Sequence, residues 1–233
     1  MSQSFYSQEA SDSPRSQASL AYAQIKRNIV AGRLAPGAKL KINEMAVSLA
    51  VSPGAIREAL SRLAAETLVV GKDQKGFIVS PLSVADLRDL TELRCEIEAL
   101  ALRQSISSGG VDWEARVLAA AHRLTGSTRM LDAAGQSLNP EWLQRHESFH
   151  AALVSGCTNK RILALHTSLY EQSERYRGLS VRLEAKRDVA GEHRRIAEAV
   201  RSRDAQRTID LAVGHIRKTT LIIVAAMERG TVG

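Results

Sequence analysis

Cysteine is nearly absent from this chain. Its two cysteines, Cys95 and Cys157, have neither metal-knuckle nor redox-motif spacing, so no disulfide framework is expected and a reducing, cytoplasmic setting is. Long apolar runs are missing too. "LIIVAA" (221–226), the longest near the C-terminus, falls far short of the roughly 20 residues that cross a bilayer, so no membrane partner is expected. The opening "MSQSFYSQEASDSPRSQAS" has no apolar core of the kind a secretory signal needs; residues 1–18 read as a disordered, Ser/Gln-rich arm. Beyond Pro81 there is no period-two alternation, which argues against strands in the C-terminal two-thirds.

What is present is an ordinary globular composition, 44% hydrophobic and 24% charged over 233 residues, enough for two modest domains. The formal charge of +7 permits an anionic partner. Its distribution is more informative: residues 19–81 carry nine Lys/Arg against four Asp/Glu, whereas 82–233 carry 22 against 19.

In the basic third, Tyr22, Ile25 and Ile29 recur at helical spacing up to Gly32, and "APG" (35–37) turns the chain. Ile42, Met45, Ala46 and Leu49 make a second apolar face. "VSP" then supplies Ser52 as an N-cap and Pro53 as the first residue of a third helix, positions where no intrahelical N–H is lost. That helix buries Ile56, Leu60 and Leu63 and turns Ser52, Arg57, Ser61 and Arg62 outward. "TLVV" and "FIVS" around "GKDQKG" read as two short strands and a turn. Three helices and a basic hairpin describe a winged helix-turn-helix over residues 19–81. In such a head the third helix enters the major groove of double-stranded DNA, Arg57 reaches a guanine edge or a phosphate, and Lys72 and Lys75 touch the backbone from the wing.

"GRLAPG", "VSPGAIREALSRL" and the closing "GFIV" resemble the DNA-binding domain of the GntR superfamily of bacterial transcription regulators, nearly throughout residues 19–81. The resemblance adds Asn43 and Gly76 to the DNA-facing set. It also marks departures: arginine often stands in the family where this chain has Asn43 and Pro53, so the resemblance implies the fold but not the operator sequence.

Residues 82–229 repeat apolar positions three and four apart, the pattern of an all-helical antiparallel bundle, so the fold class is mostly α. Leu87, Leu90, Ile97 and Ala101 form a stripe interrupted by Arg94. An ion pair with Glu98 one turn on is one reading of Arg94; a carboxylate ligand gripped by a guanidinium inside an apolar seam is the other. Further along, "HESFH" (146–150) spells the H-E-x-x-H zinc-protease signature. Leu143, His146, His150 and Leu153 share one helical face. A protease of the metzincin type would need glycine at 153 and histidine at 156, where Leu153 and Gly156 stand. His193, on the Val189, Ile196, Val200 seam, and His215, near Leu211, Ala212, Thr219 and Ile222, bring two more helices that point histidine inward. Buried imidazoles from three helices are satisfied together by one cation. His122 and His166 lack this support and read as ordinary.

"LTELRCEIEALALRQS", "HESFHAALVSGCTN", "EHRRIAEAVRSRDA" and "AVGHIRKT" are similar to the FCD effector-binding domain of the FadR-like branch. The resemblance implies a metal held by an aspartate and three histidines, with His150, His193 and His215 as the histidines and His146 at the aspartate's position. Glu147, the would-be protease base, then points off the ligand face. Four nitrogens favour zinc, nickel or copper over manganese-like ions, zinc or nickel first. The expectation is a homodimeric regulator whose operator affinity responds to a small carboxylate bound near the metal and Arg94, repression being the commoner mode. The alternative is a metal-dependent hydrolase built on "HESFH".

Overall fold

The computed structural model describes residues 16–72, 76–131, 139–180 and 187–229. These divide into two compact units, one comprising residues up to Ile29 with Gly37–Ser80, the other Val30–Pro36 and residues from Pro81 on. The expected arm falls outside the described residues except for its last three, and the first helix starts two residues before the expected Ser19.

The first unit contains α1 (Gln17–Val30), β1 (Lys39–Leu40), α2 (Ile42–Leu49), α3 (Pro53–Ala65), β2 (Val69–Lys72) and β3 (Gly76–Val79). Ile25, Ile29, Ile56, Leu60 and Leu63 form its interior. Ser52 caps α3 by accepting from the Ala55 amide at 3.2 Å, and Pro53 follows at the first turn. The strands pair antiparallel in the order β1-β3-β2, with Val69 opposite Val79 and Lys72 opposite Gly76. Sequence periodicity gave no sign of β1, because two residues are too few to alternate. Gly76 opens β3 at φ 79°, a left-handed conformation that glycine adopts without penalty.

The second unit contains α4 (Val84–Ser108), α5 (Val111–Thr125), α6 (Pro140–Val154), α7 (Lys160–Ser180), α8 (Val189–Arg201) and α9 (Ala205–Glu228). Among the described residues it is wholly helical in its regular structure. The long α4 packs on α9, α7 and α6, while α5 packs on α6 and α8. Phe149, Leu153, Val117, Leu102, Ile196 and Val200 sit in the largest apolar cluster. A second cluster, with Leu87, Leu90, Leu169, Tyr176 and Ile223, joins α4, α7 and α9. Asn139 and Pro140 open α6, with the Asn139 side chain accepting from the Glu141 amide. Asp188 opens α8 by accepting from the Gly191 amide at 2.8 Å. A Cβ on Gly191 would lie 1.8 Å from the same carboxylate, so the cap depends on glycine there.

Candidate DNA-binding face and metal centre

In the first unit, Asn43 on α2, Ser52, Arg57, Ser61 and Arg62 on and before α3, and Lys72 and Gly76 on the strands are all exposed. Lys75 lies outside the described residues. Arg57 points to solvent because the helix turns Ile56 and Leu60 inward. Arg62 has a different setting: its guanidinium lies 4.2 Å from the centre of the Tyr22 ring and reaches Ser19 Oγ at 3.5 Å. It joins α3 to α1, a role that helical periodicity did not reveal since Tyr22 is 40 residues away in sequence.

In the second unit, α6 brings His146 and His150 one turn apart, α8 brings His193 and α9 brings His215. All four are buried, and one ligand atom from each lies within 4.8 Å of every other. The His146 and His150 Nε2 atoms are 3.2 Å apart, a spacing suited to two nitrogens on one cation given metal–nitrogen bonds of about 2.0–2.1 Å. His193 Nε2 has no hydrogen-bond partner among the described residues. A buried imidazole nitrogen left this way is costly unless something accepts its lone pair.

Burial depresses the pKa of all four histidines, aided at His146 by the Arg177 charge and at His150 and His193 by the neighbouring imidazoles. They are therefore neutral, the form that binds metals. His215 is oriented by Glu192, whose Oε2 accepts from its Nδ1 at 2.8 Å and so leaves Nε2 as the lone-pair nitrogen. Arg187 clamps the same carboxylate at 3.1 and 2.6 Å. Burial would raise the Glu192 pKa, but the hydrogen bonds from His215 and Arg187 outweigh it and hold the group far below the usual carboxylate range.

His146, His150 and His215 face a cleft that also exposes Arg94, Trp142, Arg177, Arg187 and Thr219, and encloses about 590 Å³ counted out to its open mouth. Arg94 enters it from α4 and donates to Ser173 Oγ at 2.8 Å, with its charge 5.1 Å from the Tyr170 ring centre. Its buried Nε has no acceptor among the described residues. Glu98, the other candidate partner for Arg94, is buried and pairs instead with His166 at 2.8 Å. His166, expected to be ordinary, is thus half of a buried hydrogen-bonded contact between α4 and α7. Glu147 is exposed, off the ligand face.

Sequence reasoning missed Arg177, Arg187, Glu192 and Tyr170. Glu192 directly precedes His193, and helical geometry alone would have turned it elsewhere; its contact with His215 comes from the crossing of α8 and α9. Tyr170 and Arg177 come from α7, which bears no ligand and so drew no attention.

The gntR model, described as bacterial regulatory proteins, matches residues 17–79, and the FCD domain model matches 89–218. The chain is 37% identical over 203 residues to the uncharacterized HTH-type transcriptional regulator BphR of Paraburkholderia xenovorans, covering 87% of this chain and 83% of that protein. It is 35% identical over 211 residues to the HTH-type transcriptional repressor GlaR of Escherichia coli, covering 88% and 95%. Among solved structures, E. coli McbR/YncC matches 90% of this chain and 97% of its own with a TM-score of 0.73 at 18% identity, a likeness of fold. Among the described residues no helix is long and apolar enough to cross a membrane.

Proposed function

Because this chain belongs to the gntR family of bacterial regulatory proteins with an FCD domain, and is a DNA-binding transcription regulator rather than an enzyme, we propose that a small carboxylate bound beside a four-histidine metal centre sets its operator affinity. The observation that carries this reading is the convergence of four buried, neutral imidazoles from three helices, three of them on the wall of the cleft that holds Arg94. Arg94 supplies a fixed positive charge and a buried N–H with no acceptor among the described residues, which is what a carboxylate needs. His146, His150, His193 and His215 would hold a divalent transition metal, zinc or nickel before manganese on donor chemistry. When bound, that ion contributes positive charge and an open position for an anionic oxygen.

In the head, Arg57 is the chief base-reading or phosphate-contacting side chain. Asn43, Ser52, Ser61, Lys72, Lys75 and Gly76 lie on the same DNA-facing surface, with Arg62 divided between DNA and Tyr22. A homodimer working in the cytoplasm presents two such heads to a near-palindromic operator. The E. coli relative is named a repressor, and repression relieved by the carboxylate is the mode we adopt. A carboxylate that binds the two head arrangements unequally shifts the population between them.

The test takes protein purified without chelator, measures its metal content, and screens small mono- and dicarboxylates for thermal stabilisation and for release of operator in a gel-shift assay. Stabilisation and release by the same carboxylate, both lost in Arg94→Ala while metal and DNA binding persist, support the reading. Metal-free protein that no carboxylate stabilises refutes it.

A further inference from the structure

His146 differs from the other three histidines in what faces the far side of its ring. Its Nδ1 lies 3.0 Å from the Tyr170 hydroxyl and 3.2 Å from Arg177 Nη1. A guanidinium only donates, so Nδ1 must present its lone pair to Arg177. A neutral imidazole has a single N–H, which then sits on Nε2 and points at His150 Nε2, 3.2 Å away. In that tautomer His146 donates to His150 Nε2, offers no lone pair to a cation and engages the lone pair of His150. His215 is the contrast: Arg187 Nη2 also lies 3.2 Å from its Nδ1, but the Glu192 carboxylate accepts from that nitrogen and keeps the proton there.

His146 becomes a ligand through Nε2 only if its proton moves to Nδ1. The Tyr170 oxygen can accept it there; Arg177 cannot and must turn away. Arg177 borders the cleft, stacked 5.5 Å from the Trp142 ring centre and paired with Glu174. An anion in the cleft gives the displaced guanidinium a new acceptor. Resting on the reading above, we infer that Arg177 is a second anion-binding residue of the effector site and that it couples the two ligands. It holds His146 in the non-ligating tautomer, and with it ties up the His150 Nε2 lone pair, until an anion draws it off, so anion binding frees both imidazoles of α6 and completes the four-histidine centre. By linkage, the metal must strengthen anion binding by the same factor.

The measurements use the full chain, with zinc as the metal and acetate as the anion. Arg177→Met keeps much of the apolar stem against Trp142 and removes the donor. Its zinc affinity should rise about ten-fold over wild type, the usual size of an outer-partner effect, and Arg177→Met should have no effect on zinc affinity in a His146→Ala background. Acetate should tighten zinc binding in wild type and leave Arg177→Met unchanged. Long-range nitrogen–proton NMR of the wild-type imidazoles gives an independent readout: the His146 proton should sit on Nε2 without zinc and on Nδ1 with zinc and acetate together. Zinc affinity equal in wild type and Arg177→Met, or a His146 proton on Nδ1 before any ligand is added, overturns the coupling while leaving the metal reading intact. A wild-type chain that binds no zinc overturns both.

Discussion

Glu98 Oε2 lies 2.8 Å from His166 Nε2 in the interior of the helical unit, where Glu98 is fully buried and His166 nearly so. The contact ties α4 to α7, the two helices that deliver Arg94 and Arg177 to the cleft. Burial alone would raise the Glu98 pKa; the hydrogen bond from His166, its charge and that of Arg94 outweigh burial and lower it. A carboxylate whose folded pKa is lowered stabilises the fold above its unfolded pKa of about 4.3 and loses that contribution as pH falls through the folded value. Glu98→Ala should therefore cost about 3–5 kcal/mol at pH 7, since it strands one member of a buried pair, and the gap to wild type should narrow in acid. Urea denaturation at pH 7 and at pH 3.5 checks both the size and the sign; an equal gap at the two values contradicts an ionised Glu98.

Arg57 is exposed on α3 with its backbone held by the buried Ile56 and Leu60. Replacing it with alanine should weaken operator binding by about 1–3 kcal/mol and leave the fold unchanged. Arg62→Ala should behave differently. Losing the stacking on Tyr22 should lower the stability of the head by about 0.5–1 kcal/mol. Gel shifts at matched salt, run alongside thermal melts of both variants, separate the two roles.

The metal centre predicts unequal ligands. His193→Ala removes the imidazole whose Nε2 has no other partner among the described residues, and zinc should be lost on dialysis. His146→Ala should retain zinc, because His150, His193 and His215 remain. Metal analysis after dialysis decides: full occupancy in both variants would mean that the cluster holds no ion.

At the start of α8, Asp188 and Gly191 form one device, and the glycine leaves room for the carboxylate that caps the helix. Gly191→Ala should push that side chain away and cost about 0.5–2 kcal/mol, the value of an N-cap. Asp188→Ala should cost a similar amount. The double variant should cost little more than either single change, since both remove the same bond; additive losses in chemical denaturation would show that the clash lies elsewhere.

The winged head and the helical remainder were legible before any coordinates because their signals are local. Ser52 before Pro53 marks a helix start, and apolar residues three and four apart mark a buried face, so α3 and the α4–α9 series follow from chain order alone. The four histidines were legible for the same reason: each occupies the inward face of its own helix, and inward faces meet. Whatever depends on how helices cross was not. The Glu98–His166 pair spans α4 and α7, Glu192 reaches from α8 to His215 on α9, and Arg177 on α7 reaches His146 on α6. Helical periodicity says which way a side chain points, not which neighbour it meets. Sequence therefore determined which four histidines face inward, while packing decided that they meet and that one of them, His146, has an arginine on the far side of its ring.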